Sequence, residues 1–348
     1  MQSKRKGFDR SKFKVSEAGG VELPRGELVK SGFLRDGVGL PRVLEPGVGE
    51  VDLADWLQGN RDHVIGELES AGAVLFRGFR IDTPERLERV AGTLCSELFN
   101  ENGEHPRDSV SGNVYTPVFY PPEKQLLWHN ENSFNPQWPK RIFFACATPP
   151  GRGGETPLVD SREVYRRIDP EIRELFERKG VMYMRNYAPG LGLQWWRVFQ
   201  SRDRAEVEEI CGRGGFAVEW KEGDRLKTTC VRPAVIRHPD TGEACWFNQA
   251  QHWHVSCLEP EVRESLTASF AEDDLPRNCY FGDGSTIPDA AMDRVLSVYR
   301  DLEVSFPWQR GDVVLVDNIL AAHGRNPFEG PRKILVAMGD MTRYEEVQ

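Results

Sequence analysis

A histidine and a glutamate stand two residues apart in the segment LLWHNENSF, at His129 and Glu131. If this segment is a β-strand, alternate side chains leave the same face, so the imidazole and the carboxylate point together. Such a pair supplies two of the three protein ligands in the facial triad of non-heme Fe(II) oxygenases. The third ligand must be a histidine from a distant strand, and His323 follows the apolar run DVVLVDNILAA. These three residues are the candidate metal ligands.

Two other pairs of residues, each with at least one histidine, offer competing metal sites. His238 and Asp240 repeat the same spacing, but RHPDTG lies between two apolar runs and is typical of a hairpin turn. His252 and His254 form a second pair in a stretch without clear alternation, where partly buried, hydrogen-bonded histidines are the alternative interpretation. Spacing alone therefore leaves open which pair binds a metal.

An arginine and a threonine are candidate contacts for an acidic cosubstrate. Arg332 begins the run RKILVAM, where a guanidinium could grip a carboxylate with two hydrogen bonds. Thr156, in RGGETPLVD, could donate its hydroxyl to the same carboxylate. In isolation, a surface arginine at a strand start and a turn threonine fit these positions equally well. The neighbouring GRGG is typical of a tight turn, because no Gly-Lys-Ser or Gly-Lys-Thr follows it to make a phosphate loop.

Charge and cysteine content limit the classes of protein and the compartment. The formal net charge of −9 disfavours a nucleic-acid binder, although the start, MQSKRKGFDRSKFK, is basic and is typical of a frayed, solvated terminus. Seven cysteines without a C-x-x-C pair indicate reduced thiols. No apolar segment follows the basic start, and no run reaches the length of a membrane span. We therefore predict a cytoplasmic protein.

The elements that must position these residues are mostly short strands. The pattern predicts strands within 71–79, 125–134, 141–150, 155–160, 234–248, 312–318 and 333–338, and helices within 51–70, 83–99, 161–180 and 287–304. Many short strands separated by proline and glycine turns favour a sandwich or jelly-roll barrel. We predict a mainly β protein with flanking helices. Its parts are an N-terminal arm at 1–50 and a single domain at 51–348, with a long insertion at about 185–300.

Several motifs in order resemble one branch of a known family. They are WHNENSF, PKRIFFACATPPGRGGETPLVDSREVY, WFN, FGDGSTIP, FPWQRGDVVLVDN and HGRNPFEGPRKIL. Together they resemble the clavaminate-synthase-like and syringomycin-type branch of the taurine dioxygenase superfamily. The resemblance runs from about Ala71 to Met338, which is most of the chain.

The resemblance implies a double-stranded β-helix fold and a cofactor set. The family uses Fe(II), with 2-oxoglutarate and dioxygen as cosubstrates. His129 and Glu131 match its H-x-[DE] ligands, and His323 matches its distal histidine. Thr156 and Arg332 match the residues that bind the remote carboxylate of 2-oxoglutarate.

The resemblance also bears on the substrate. Sulfonate-cleaving members have an arginine where this chain has Val336, so a sulfonate substrate is disfavoured. Halogenating relatives lack the carboxylate ligand, so the presence of Glu131 favours hydroxylation or a related oxidation. Syringomycin-type relatives hydroxylate amino acids, some attached to carrier proteins, which implies a free or tethered amino acid here.

Two polar residues are weaker candidates for substrate contact. Gln125 precedes the first ligand by four residues, and Asn248 follows the run ACWF. Ordinary strand-end polar residues are the alternative for both. Two further functions also stay open, namely a catabolic dioxygenase acting on another small organic acid and a catalytically silent metal-binding barrel.

Overall fold

A computed structural model describes residues 28–47, 49–99, 109–189 and 192–347. The basic start of the chain and half of the predicted arm lie outside the described residues. The strands are β1 (Val29–Phe33), β2 (Arg42–Pro46), β3 (Ala73–Phe76), β4 (Ser109–Ser111), β5 (Val114–Tyr115), β6 (Leu126–His129), β7 (Gln137–Thr148), β8 (Arg152–Gly153), β9 (Leu158–Asp160), β10 (Val181–Tyr187), β11 (Ala217–Lys221), β12 (Arg225–Arg232), β13 (Val235–Arg237), β14 (Ala244–Trp246), β15 (Arg277–Phe281), β16 (Val313–Asp317), β17 (Ala321–Arg325), β18 (Phe328–Glu329) and β19 (Lys333–Arg343).

The helices lie before β4 and between β9 and β16. They are α1 (Leu53–Gln58), α2 (Arg61–Ala71), α3 (Pro84–Leu94), α4 (Ser161–Arg167), α5 (Pro170–Lys179), α6 (Trp195–Val198), α7 (Arg204–Arg213), α8 (Ala250–Trp253), α9 (Pro260–Ser269) and α10 (Asp289–Leu302). Short 3₁₀ turns occur at Val255–Cys257, Glu272–Asp274 and Tyr344–Glu346.

The major sheet has its strands in the order β1-β2-β3-β16-β7-β19-β5-β4. Its central strands are apolar on both faces because both faces are covered. Val313 and Leu315 pack outward with the helices α1–α3, whereas Val314 and Val316 pack inward. This burial explains why β16 appears in the sequence as a continuous apolar run without alternation.

A minor sheet of three strands, in the order β6-β17-β9, lies against the inner face of the major sheet. Leu158 of β9 and Ala321 of β17 share one hydrophobic cluster with Ile142 of β7 and Ile334 of β19. Two facing sheets around such a core make a jelly roll. The predicted mainly β jelly-roll fold is confirmed.

The helix α3 shows how local sequence sets an element boundary. Thr83 accepts a hydrogen bond from the backbone N–H of Arg86, and Pro84 occupies the first helical turn, as the Thr-Pro pair predicts. The helix ends at Leu94, earlier than the predicted limit of residue 99. In the same way, the predicted helix at 161–180 is two helices, because Asp169 and Pro170 start a new one.

The segment from β10 to β15, called the insertion below, forms a second sheet in the order β11-β12-β10-β15. The predicted bounds of about 185–300 stay a prediction. Val181 and Tyr183 of β10 pack in one cluster with Trp128 of β6 and Ala322 of β17. The insertion therefore covers the outer face of the minor sheet and is joined to the barrel by a common core. No helix in the described ranges is long and apolar enough to cross a membrane. None of the seven cysteines, all of which are described residues, forms a disulfide.

The segment before residue 50 contributes two strands to the major sheet. Strand β1 pairs with β2 in antiparallel fashion, and β2 pairs with β3 in parallel fashion. Val29 and Leu44 belong to the same hydrophobic cluster as the helices α1–α3. The predicted division of the chain at residue 50 stays a prediction.

Candidate metal centre

The first two candidate ligands lie at the end of β6. The strand stops at His129, and Glu131 lies in the turn that follows. The expectation that both leave one face of a continuous strand is therefore wrong in detail. The two side chains nevertheless meet, because the turn returns the carboxylate so that Glu131 Oε2 lies 3.6 Å from His129 Nε2.

The third candidate ligand comes from the neighbouring strand β17. His323 is the direct cross-strand partner of His129, so the backbone pairing itself brings the two imidazoles together. Their ring centroids are 4.5 Å apart, and His323 Nε2 lies 3.9 Å from Glu131 Oε2. Potential ligand atoms of all three residues lie within 4.8 Å of one another.

A hydrogen bond fixes the tautomer of His129. Its Nδ1 lies 2.9 Å from the carbonyl oxygen of Leu127, which can only accept. Nδ1 is therefore the donor, and in the neutral ring Nε2 has its lone pair directed toward Glu131 and His323. This is the form in which histidine binds a metal.

Two imidazoles and one carboxylate form a donor set that suits a divalent transition metal with open coordination positions. Ligand atoms bound side by side on one octahedral ion at about 2.1 Å lie roughly 3 Å apart. The separations of 3.6 and 3.9 Å are longer than this by less than about 1 Å. The three residues thus fit one ion after a small contraction.

The turn that carries Glu131 is held by a buried asparagine, Asn318, which follows β16. Its side-chain oxygen accepts from the Glu131 N–H at 2.7 Å, and its amide nitrogen donates to the carbonyl of the same residue at 2.9 Å. Asn130 donates in turn to the Asn318 carbonyl at 2.7 Å. Both asparagines are fully buried. Sequence reasoning missed Asn318, although its place directly after the apolar run VVLVD was a usable signal.

Side chains from the insertion bind the backbone of the ligand strand β6 and of the residue that follows it. Gln249 donates to the carbonyl of Asn130, and Gln251 donates to the carbonyl of Trp128, both at 2.7 Å. His252 Nε2 lies 2.6 Å from the Leu127 carbonyl. Strand β6 is an edge strand of the minor sheet, so these side chains supply hydrogen bonds there that a further strand would otherwise provide.

A glycine next to His323 allows β17 to approach β6 closely. A Cβ at Gly324 would lie 2.7 Å from the carbonyl oxygen of Leu126. The strand pairing also shifts register between His323 and Arg325. A larger residue at this position would push the two ligand strands apart. This close approach explains why a glycine follows His323.

A cavity of about 970 Å³ opens beside the three candidate ligands. Thr156 and Arg332, the two predicted cosubstrate contacts, both line it. Its apolar walls include Phe144, whose ring centroid is 5.0 Å from that of His323, and Val336, the position where sulfonate-cleaving relatives have an arginine.

The guanidinium of Arg332 is oriented by one backbone contact. Its Nε donates to the carbonyl of Gly154 at 2.9 Å. That glycine has φ +69°, and a Cβ there would lie 3.1 Å from the Arg332 side chain. Burial lowers the pKa of Arg332 to about 10, and Arg325 adds to the effect. The group still carries its charge at neutral pH, and no carboxylate of the described residues forms an ion pair with it.

The competing histidines have structural partners. His238 lies in the predicted hairpin turn, where Nε2 is 3.1 Å from Asp317 and Nδ1 accepts from the N–H of Thr241. His254 Nδ1 bonds Ser256. His252 is also hydrogen-bonded, as proposed above for such histidines, but it lies next to the centre, with its ring 4.7 Å from that of His129.

The two weaker substrate candidates need correction. Gln125 is exposed and lies outside the cavity lining. Asn248 is fully buried, where its amide donates to the Ala234 carbonyl and its oxygen accepts from the Ala250 N–H. Its polar atoms therefore serve the backbone of the insertion. The structure brings neither residue to the cavity.

Inside this jelly roll, two imidazoles and one carboxylate converge beside a cavity that Arg332 lines. Such a donor set is typical of oxygenases with the facial triad. A model of the "Taurine catabolism dioxygenase TauD, TfdA family" matches residues 40–338, and the chain belongs to this family. The protein is accordingly an Fe(II)- and 2-oxoglutarate-dependent dioxygenase, and the family resemblance seen in the sequence is confirmed.

Relatives of known sequence or structure agree with this assignment. The chain is 39% identical over 281 residues to the dapdiamide synthesis protein DdaC of Enterobacter agglomerans, covering 80% of this chain and 85% of the relative. It is 31% identical over 286 residues to a clavaminate synthase-like protein of Arabidopsis thaliana, covering 78% and 82%. The fold is similar to that of PvcB, an Fe, alpha-ketoglutarate dependent oxygenase from an isonitrile synthetic pathway. For PvcB the TM-score is 0.54 and the identity 17%, over 92% and 96% of the two chains.

Proposed function

We propose that this dioxygenase hydroxylates an unactivated C–H bond of an amino acid, free or attached to a carrier protein, during natural-product biosynthesis. Two observations support the substrate class. The relative with 39% identity is named as a dapdiamide synthesis protein. Val336, rather than an arginine, lines the cavity at the position that sulfonate-cleaving relatives use.

In this proposal, His129, Glu131 and His323 hold the iron. The observation that carries it is their convergence, with Glu131 Oε2 3.6 and 3.9 Å from the two Nε2 atoms, in the same cavity as Arg332. Bound Fe(II) with 2-oxoglutarate and dioxygen supplies the oxidising power for C–H cleavage. Two imidazoles and one carboxylate would hold the ion, and its remaining coordination positions would be open to ligands that are not protein.

Arg332 and Thr156 bind the remote carboxylate of 2-oxoglutarate in this proposal. The half-buried guanidinium has a carbonyl at Nε, and its remaining N–H groups suit a carboxylate with two parallel hydrogen bonds. The Thr156 hydroxyl is buried at the cavity wall and can donate to the same acid. Apolar neighbours such as Phe144 and Ile334 exclude water and strengthen these contacts.

A first experiment tests the assignment of the cofactor residues. Protein, Fe(II) and 2-oxoglutarate are mixed without air, and the visible charge-transfer band of the chelate is recorded. We expect a band in the wild type and in Arg310→Gln, whose side chain is exposed and pairs with Asp82. We expect Arg332→Gln to reach half of its maximal band only at a much higher concentration of 2-oxoglutarate. A missing band in the wild type would instead favour a catalytically silent barrel.

A second experiment addresses the substrate. Amino acids and carrier-bound aminoacyl groups are screened for succinate release coupled to a mass gain of one oxygen. Coupled release with an amino acid supports the proposal. Coupled release with a different small organic acid alone would favour a catabolic dioxygenase. A cytoplasmic location and the lack of a nucleic-acid partner remain predictions, and attachment of the substrate to a carrier is tested by the same screen.

A further inference from the structure

Two arginines face each other on the insertion sheet at the cavity. Arg185 of β10 and Arg277 of β15 are direct cross-strand partners, and both line the cavity. Two like charges at opposed positions of neighbouring strands repel, and an anion bound beside them relieves this repulsion. The arginine pair is therefore a candidate site for an anionic ligand.

The charge of Arg277 has no opposite charge paired with it among the described residues. In the described part of the chain, no carboxylate forms an ion pair with it. Loss of water around the side chain lowers its pKa, and the charge of Arg185 lowers it further. The residue nevertheless remains accessible from the cavity. Arg185 has its guanidinium over the ring of Tyr187, 4.6 Å from the centroid, and so is held in place beside it.

The other cations of the cavity have different tasks. Arg325 donates to the carbonyls of Tyr120, Pro121 and Lys124, which closes one side of the cavity. Arg332 lies beside the barrel strand β19, where it is the proposed contact for 2-oxoglutarate. The described residues that line the cavity include one carboxylate, that of Glu131, which is a proposed metal ligand. An anionic substrate group entering from the insertion side would thus meet Arg277 without competition from another carboxylate of these residues.

Arg277 shares its cavity with the metal centre. The three candidate ligands, His252 and Arg277 all line this one cavity. The His252 ring lies 4.7 Å from that of His129. A small molecule held by Arg277 would therefore lie in the same cavity as the proposed iron site.

We propose that Arg277, supported by Arg185, binds an anionic oxygen group of the substrate at the wall of the cavity formed by the insertion. This inference rests on the proposed function and makes it more specific. The group is the α-carboxylate when the amino acid is free, and the phosphate of the carrier arm when the amino acid is tethered. The cavity then has two separate anion sites, one for the cosubstrate at Arg332 and one for the substrate at Arg277.

The experiment compares paired probes on the anaerobic complex of enzyme, Fe(II) and 2-oxoglutarate. L-amino acids are titrated against their α-amides, and aminoacyl pantetheine 4′-phosphate against aminoacyl pantetheine. The readout is the perturbation of the charge-transfer band. We expect the anionic member of one pair to bind more tightly in the wild type. In Arg277→Gln we expect its dissociation constant to rise about 10- to 100-fold, as for loss of a charged hydrogen bond. The pair that responds identifies the source of the anion.

Three controls keep the result specific. Arg277→Lys should recover part of the affinity because it retains a charge. Arg204→Gln should behave as wild type, since that exposed residue of the insertion pairs with Asp224. The band itself should be unchanged in all variants, whereas its absence in the wild type would contradict the proposed cofactor site instead. Equal binding of both members of every pair, no response to any anionic probe, or unchanged affinity in Arg277→Gln would overturn the inference.

Discussion

The cavity has two walls of different construction. The barrel wall, with β6, β17 and β19, carries the proposed iron ligands and the proposed cosubstrate contact on or beside regular strands. The insertion wall, with β10, β15 and α8, carries an arginine pair and a set of amides on a separate sheet and a short helix. Cross-strand pairing fixes the distances on the first wall, while packing between two sub-structures fixes them on the second. This difference suggests that the barrel wall holds what all reactions of the family share, and the insertion wall recognises the individual substrate.

The largest expected effect comes from removing the carboxylate on the barrel wall. Glu131→Gln keeps the shape of the side chain but removes its charge, so bound Fe(II) loses one anionic ligand. We expect turnover below detection, and a loss of iron affinity greater than the roughly 10- to 100-fold typical of an outer partner. Iron content after gel filtration and succinate release are the measurements. Full iron content with normal turnover would remove Glu131 from the ligand set.

The next effect concerns the cosubstrate. Arg332→Gln removes the charge partner of a partly desolvated carboxylate, which costs about 2–5 kcal/mol. We therefore expect the apparent KM for 2-oxoglutarate to rise at least about 30-fold, while iron content stays that of the wild type. Steady-state kinetics with varied 2-oxoglutarate measure this. A rise in the KM for the substrate alone would reverse the assignment of the two walls.

A smaller effect is expected for the residue that positions the Glu131 turn. Asn318→Ala removes both hydrogen bonds to the Glu131 backbone and leaves its N–H and carbonyl without these partners. We expect iron affinity to fall about 10- to 100-fold. Raising the Fe(II) concentration should restore most of kcat, which a general loss of folded protein would not allow. A competitive chelator titration gives the affinity.

The hydroxyl of Thr156 should contribute least among the cavity residues. Thr156→Val keeps the volume but removes one neutral donor, worth about 0.5–1.5 kcal/mol. We expect a 2- to 10-fold rise in the KM for 2-oxoglutarate. Gln125→Ala is the matching control outside the cavity, and its kinetic constants should equal those of the wild type. A clear loss of substrate affinity in Gln125→Ala would restore it as a contact.

The candidate ligands could be proposed from the sequence because residue type, spacing and motif order mark them. The structure brings His129, Glu131 and His323 together, although a turn after the end of β6 at His129, and not a continuous strand, positions Glu131. Burial on both faces removed the alternation that would have marked the face of β16, so only its existence could be predicted. Asn318 was missed because a polar residue after a strand is also typical of an ordinary turn.

The insertion wall could not be predicted in the same way. Arg185 and Arg277 are ninety-two positions apart and lie in segments with no recognisable spacing. Only the pairing of β10 with β15 places them opposite each other. Asn248 was chosen from its position after an apolar run, yet its amide is used by neighbouring backbone, which depends on the local fold.

The hydrogen bonds from Gln249, Gln251 and His252 to the carbonyls of β6 and of Asn130, which follows it, have a consequence for how such enzymes can be altered. Because side chains, and not a neighbouring strand, donate these hydrogen bonds, they depend on which residues stand at 249–252. Most replacements of these residues would remove them. A chimaera that receives a foreign insertion to change its substrate must therefore keep the run QAQH at 249–252. Otherwise, the edge of β6 loses its cover and becomes open to pairing with another molecule.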